Sequence, residues 1–186
     1  VLSVTDVTNK TLSDVNPDSD AEKRENVQLV SFVLGEEFFG VNILLVQEII
    51  TVPEITRIPN SPSFIEGMIN LRGRLLPVVD LRKRLYVGKE FFDRKTRILV
   101  IQIEDKITGF LVDSVEAVMS VPADSIEAAP EIVTIGIETQ YITGISKLDD
   151  RMIILLDFKR LFNKEEMTSL DHIKKNLGDK EDTPEA

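Results

Sequence analysis

Apolar positions in this chain come in short runs, broken by Gly, Pro, Asp and small clusters of charge. That is the rhythm of β-strands rather than of amphipathic helices. The stretch from Gly67 to Arg82 shows it best. Two apolar runs flank a charged knuckle, Arg72-Gly73-Arg74, where Gly supplies the positive φ that a tight hairpin needs. Residues 75–79 are too few for a helix and rich in branched side chains, so they predict a buried strand. Pro77 has no ladder donor and predicts an edge or a bulge there. Asp80 reads as the N-cap of a short helix over 81–85, with Arg82, Lys83 and Arg84 towards the negative end of its dipole.

The rest of the chain follows the same rhythm. Residues 28–34 predict a strand, Gly35-Glu36-Glu37 a turn, and Phe38 the start of the return strand. Asn42 predicts a capped helical turn over 43–46, followed by an extended segment that Pro53 ends. Ser61 before Pro62 has the form of a helix start, and Gly67 would stop that helix early. A polar connection over 87–96 holds Phe91 and Phe92. Strands are predicted over 97–103, 107–112 and 115–121. The one long helix spans 163–177, with Asn163 and Glu166 as a capping pair, lysines in the last turn and Gly178 as terminator. Met167, Leu170, Ile173 and Leu177 form one apolar stripe, expected to pack on the body.

The pattern is written twice. Gly67, Leu71, Arg74 and Asp80 recur 77 positions later as Gly144, Leu148, Arg151 and Asp157. Leu34, Gly40, Val46, Val52 and Pro53 recur 69 positions later as Ile103, Gly109, Val115, Val121 and Pro122. Eight extra residues therefore fall within 123–141 of the second copy. Each copy supplies about five strands and an Asp-capped helix. Five short strands leave two exposed edges unless they curl into a barrel. The expected fold is mainly β: two five-stranded, SH3-like or OB-like barrel lobes from a diverged tandem repeat, with short connecting helices and one C-terminal α-helix. The expected division places lobe 1 at about 27–95, lobe 2 at about 96–162 and the terminal helix at 163–177.

Composition narrows the function. Residues 1–26 are polar and acidic, and 179–186 are polar, so both predict disordered tails, the N-terminal one dispensable for partner binding. The net charge of −10 over 186 residues disfavours nucleic acid and anionic lipid. There is no cysteine, hence no disulfide, thiolate zinc site or thiol nucleophile. No apolar run reaches the roughly 20 residues of a membrane span. Val1 onwards shows neither a signal-peptide pattern nor an initiator Met. The expected location is the cytoplasm.

Candidate chemistry is sparse. The one histidine, His172, falls among polar residues on the terminal helix and reads as a surface residue. Carboxylate pairs at Glu36-Glu37, Glu104-Asp105 and Asp149-Asp150 fall at predicted hairpin turns and read as solvated, whereas paired acid–base groups need burial. No Gly-rich phosphate loop precedes a helix. The expectation is a non-enzyme with no cofactor and no metal. Arg72-Gly73-Arg74 fits an anion site and an exposed hairpin knuckle equally.

Several words of the sequence taken together resemble one family. They are Phe39-Gly40-Val41-Asn42-Ile43-Leu44, Val46-Gln47-Glu48-Ile49, Thr56-Arg57-Ile58-Pro59-Asn60-Ser61-Pro62, Asn70-Leu71-Arg72-Gly73, Pro77-Val78-Val79-Asp80-Leu81-Arg82 and Tyr141-Ile142-Thr143-Gly144. From about Val27 to Leu177 the chain resembles the CheW family of bacterial chemotaxis coupling proteins. The resemblance implies two barrels around a shared core. It implies an adaptor that binds the cytoplasmic tip of chemoreceptors and the regulatory domain of the chemotaxis histidine kinase, recruited to receptor arrays at the inner membrane face. It carries the family's functional positions onto Val46, Glu48, Gly67 and Arg72. The exposed parts of Val46 and Val118 are expected to meet the receptor around a groove between lobes, and barrel ends to meet the kinase. The chain is expected to be a monomer on its own. Its long acidic N-terminal tail and Arg97 at a strand start depart from the family pattern. The competing class is a ligand-binding barrel for sugar or single-stranded nucleic acid, which calls for exposed aromatics; the chain has no Trp and two Tyr. A small hydrolase is a third class.

The repeat singles out one pair. Glu48 and Arg72 correspond to Ala117 and Asp149 in the second copy. The fold is repeated without these charges, so the two are expected to pair at one barrel edge for recognition rather than folding.

Overall fold

A computed structural model describes residues 25–88, 92–130, 137–148 and 150–178. Both expected tails fall outside them, apart from Glu25 and Asn26. The strands are β1 (Asn26–Leu34), β2 (Glu37–Asn42), β3 (Val46–Thr51), β4 (Ile65–Leu71), β5 (Arg74–Asp80), β6 (Arg97–Ile103), β7 (Lys106–Val112), β8 (Ser114–Pro122), β9 (Ile126–Glu127), β10 (Ile142–Leu148) and β11 (Arg151–Leu156). Helix α1 (Leu81–Leu85) follows β5, and α2 (Lys164–Gly178) is C-terminal.

The strands pair in two sheets, ordered β8-β1-β2-β11-β10-β9 and β3-β6-β7-β5-β4. Both close. β9 follows β8 through a 3-10 turn, Ala123–Ser125, so the two ends of the first sheet are one bent strand. In the second sheet Thr56, just beyond β3, bridges to Met68 of β4. Bending one strand through a corner removes the free edges. The mainly β, two-barrel architecture agrees with expectation.

The expected lobe boundaries do not agree with the pairing. Lobes at 27–95 and 96–162 would keep each copy's strands together. Instead β1 and β2 of the first copy pair with β8 and β11 of the second, and β6 and β7 pair with β3 and β5. The copies exchange their first hairpin. Hydrogen-bonding edges are alike in both copies, so local pattern cannot choose between self-pairing and exchange. The burial pattern shows what exchange provides. β1 is buried continuously from Leu29 to Phe32. Leu29 faces a small cluster inside its own barrel, while Val30 and Phe32 join the largest cluster, which also takes Leu99, Ile101 and Phe110 of the other barrel. Phe158 sits edge-on to Phe110 at 4.9 Å in that shared core.

Three local expectations are corrected. No helix forms at Ser61; its hydroxyl donates to the Ile58 carbonyl (2.9 Å), and β4 begins at Ile65, too soon for a helix. Asp157 keeps its cap, accepting Lys159 N–H at 3.0 Å, yet only a turn follows. Leu161 and Phe162 are drawn into the core there, and α2 starts directly after Asn163. Arg82, Lys83 and Arg84 do lie in the last turn of α1, as expected, and they have partners beyond the helix as well. Lys83 pairs with Glu66 at 2.9 Å, and Arg84 donates to Leu161 O and Glu166 and lies 4.8 Å over the Phe64 ring. Pro77 lies in an interior strand, one residue before the parallel ladder from β5 to β7 begins at Val78, so its missing donor breaks no bond on that side.

The α2 cap is reciprocal. Glu166 N–H donates to Asn163 Oδ1 (2.8 Å) and Asn163 N–H to Glu166 Oε2 (2.9 Å). Leu170 is 5% exposed and lies in the shared core with Met167 packed beside it. Leu170→Ala should therefore lower stability by roughly 2–5 kcal/mol, read as a shifted denaturant midpoint. An unchanged midpoint would free the stripe for partner contact.

Candidate protein-binding site

The Arg72-Gly73 hairpin positions the first charged residue of the site. Leu71 pairs with Arg74, leaving two residues in the turn, with φ of +54° and +82°. These are the signs of the primed turn that matches strand twist. Gly73 meets that need without strain. Arg72 does so as one of the few non-glycine residues with positive φ among those described, which the sequence does not announce. Asn70 Oδ1 accepts Gly73 N–H at 2.8 Å and holds the turn.

Glu48 comes from β3, just after a bulge between Val46 and Glu48. Its Oε2 lies 3.0 Å from Arg72 Nη2, so the expected pair is formed. The Arg72 side chain is 79% exposed and that of Glu48 27%. The carboxylate is thus the anchored partner and the guanidinium the presented one. The pair stands over an open groove of about 490 Å³ with Gln47 and Arg74 on its rim and Leu76, Val100 and Ile107 below.

The other barrel carries the equivalent groove, of about 530 Å³. Ser31, Phe38, Glu116, Ala117, Leu148, Arg151 and Ile153 line it. Each is the repeat counterpart of a residue lining the first groove. The bulge recurs too, with a register shift between Ser31 and Phe32 opposite Ala117 and Val115. What differs is the charge. Ala117 stands in place of Glu48 and Asp149 in place of Arg72, while Arg151, the counterpart of Arg74, lies 4.8 Å over the Phe38 ring.

The remaining expected positions scatter. Val46 is half-buried and packs against the shared core. Val118 is 58% exposed on β8, in the other barrel, opposite Val30. Its repeat counterpart is Ile49, 41% exposed on β3 and not singled out as a site residue by the sequence, although the 69-residue shift points to it. Leu44, 83% exposed on the 3-10 turn Ile43–Leu45, was likewise missed.

Gly67 is buried where the first copy's barrel closes. Met68 N–H donates to Thr56 O (2.8 Å) and Thr56 N–H to Met68 O (2.9 Å). A Cβ on Gly67 would run into the Thr56 carbonyl oxygen, as one on Gly144 would meet Glu127 O at 2.9 Å. Closure of the barrel alone therefore accounts for a glycine at both positions. Gly67→Ala should destabilise by roughly 1–3 kcal/mol, with amide exchange of Thr56 and Met68 accelerating first. Intact protection there would show that the seam yields without cost.

Among the described residues no group of three or more His, Cys, Asp or Glu is placed to hold a metal. His172 is exposed, as expected.

Two closed barrels with exchanged hairpins, one shared core and duplicated grooves define a class of two-barrel β proteins. The CheW-like domain matches residues 28–166, and the chain belongs to that family. Chemotaxis protein CheW of Klebsiella aerogenes is 38% identical over 149 residues, covering 80% of this chain and 89% of that protein. Chemotaxis protein CheW of Thermotoga maritima is 33% identical over 145 residues, covering 77% and 93%. The crystal structure of the scaffolding protein TtCheW from Thermoanaerobacter tengcongensis aligns with a TM-score of 0.71 at 38% identity, covering 78% of this chain and 94% of that one.

Proposed function

We propose that this chain is a chemotaxis scaffold that couples chemoreceptors to the chemotaxis histidine kinase. The observation that carries the reading is the Glu48–Arg72 pair. It stands, with its guanidinium presented, at one of two equivalent grooves, and the other groove keeps its shape without it. A charge pair that the repeated fold does without fits recognition better than folding. The receptor tip takes the Glu48–Arg72 edge with Ile49 beside it and Val118 on the other barrel; the kinase's regulatory domain takes a barrel end. Val46 supports this edge from within, and Gly67 keeps its barrel closed. Holding both partners on one body raises the kinase's effective concentration at the receptor, so coupling needs no chemistry on this chain.

The test is a pulldown with a receptor cytoplasmic fragment and the kinase's regulatory domain, each alone and both together. Capture of both at once is expected. Capture of neither would overturn the reading. Among the described residues no aromatic side chain lines the first groove and Phe38 alone lines the second, which does not favour a stacking platform for sugar or single-stranded nucleic acid.

A further inference from the structure

Arg72 is held in a backbone conformation that its side chain does not favour. Positive φ is several-fold commoner for Asn and Asp than for a long side chain. Strain of this kind persists only where the surroundings impose it. The strands impose part of it, since Leu71 and Arg74 pair and leave two residues to turn. The rest comes from Asn70. Its side-chain oxygen lies 2.8 Å from Gly73 N, closing the turn from outside the ladder. The consequence is directional. With the turn closed, Arg72 Nη2 reaches Glu48 Oε2 at 3.0 Å across the groove.

The second copy shows which features travel together. The counterpart of Asn70 is Lys147, which has no acceptor; that of Arg72 is Asp149, and that of Glu48 is Ala117. Yet β10 and β11 still pair from Leu148 and Arg151 onwards. A hairpin of this register therefore forms without the Asn. Asn70 belongs with the two charges rather than with the strands.

We infer that Asn70 is the positioning residue of the recognition pair: its carboxamide oxygen, by accepting the Gly73 N–H, fixes the Arg72 backbone so that the guanidinium is aimed at Glu48 before any partner arrives. Without it the hairpin keeps its strands, and the fork at its tip samples many directions. Pre-organising a long cation lowers the cost of ordering it on binding. This inference rests on the receptor-coupling reading, and its test separates the two.

The experiment uses the full chain as wild type, Asn70→Ala, Asn70→Asp and Arg72→Ala. Affinity for a receptor cytoplasmic fragment is measured, and the Arg72 Nε–Hε NMR resonance is followed without partner. Asn70→Ala is expected to bind about three- to tenfold more weakly, the effect of one neutral hydrogen bond, with the resonance lost to exchange as the pairing loosens. Asn70→Asp keeps the acceptor and should restore both the resonance and most of the affinity. Arg72→Ala should lose at least as much as Asn70→Ala. A paired Arg72 resonance in Asn70→Ala would overturn the positioning role, whatever the affinity. A restored resonance with affinity still lost in Asn70→Asp would overturn the contribution of that positioning to binding, in favour of direct contact between the Asn70 amide and the partner. Undiminished binding by Arg72→Ala would remove the coupling reading, and the resonance would still decide whether Asn70 orders Arg72.

Discussion

Replacing Arg82 with Met should lower stability by roughly 3–5 kcal/mol, as losing one partner of a buried ion pair does. The Arg82 and Asp80 side chains are each 1% exposed. Nε and Nη2 of Arg82 donate to the two Asp80 oxygens at 2.9 and 2.7 Å, and Nη1 donates to Asp113 Oδ1 at 3.1 Å. Asp113 sits where the chain leaves β7 in one barrel for β8 in the other. Its N–H donates to Val33 O (3.0 Å) and its Oδ2 accepts Gly35 N–H (2.7 Å). Met would fill the volume and leave Asp80 buried without its counter-ion. Burial opposes the charge on Arg82, but the hydrogen bond and charge of Asp80, with those of Asp113, raise its pKa above the ordinary value. A raised pKa stabilises below the unfolded value and ceases to do so only as pH climbs past the folded one. Both lie above any working pH, so the titration of Arg82 itself adds no pH dependence to the loss between about pH 6 and 8. A denaturant melt reads it. Asp80→Asn added to Arg82→Met should recover part of it, because the orphaned charge goes too. An unchanged midpoint for Arg82→Met would mean that the crossover is fixed by packing alone.

The same network shows where the sequence stops being informative. Asp80 reads correctly as an N-cap, and it accepts Arg82 N–H at 2.9 Å. Its second task, holding the Arg82 guanidinium, depends on α1 lying under Asp113, and the chain path that brings Asp113 there is the hairpin exchange. Strand positions and the Asn163 cap were legible because each depends on neighbours a few residues away, and the two copies because the same spaced residues recur 69 and 77 positions later. The exchange was not, because β1 and β6 offer equivalent edges and the choice is made by which arrangement buries Phe32, Phe39 and Phe110 together. Helix expectations at Ser61 and after Asp157 failed for one reason. A local start signal promises a helix only if residues remain to propagate it, and in both places the next buried element begins too early. The Glu48–Arg72 pair was legible through an asymmetry, the absence of both charges from the copy. Asn70, Ile49 and the positive φ of Arg72 were hidden, because nothing local marks a side chain that works through a turn or an exposed apolar residue on a bulged strand.

Arg72→Asn should separate folding from recognition more sharply than any other change. Asn accepts positive φ more readily than Arg, so the hairpin should keep or slightly improve its stability. The lost ion pair is exposed and contributes only about 0–1 kcal/mol. Melting is therefore expected within about 0.5 kcal/mol of wild type, the range of an ordinary surface substitution. Receptor-dependent kinase activation, in contrast, should be lost. The guanidinium fork is the presented half of the pair, and Asn has neither its reach nor its charge. Glu48→Gln should give a smaller loss, since it removes the anchor and leaves the fork. If Glu48 acts only by holding Arg72, the double substitution should be no worse than Arg72→Asn alone, a non-additivity that two independent contacts would not show. Reconstituted receptor, kinase and this chain supply the activity, and a thermal melt of the same preparations supplies the stability. Native coupling by a folded Arg72→Asn would remove the recognition role. Unfolding of Arg72→Asn would show that the pair holds the barrel edge together instead.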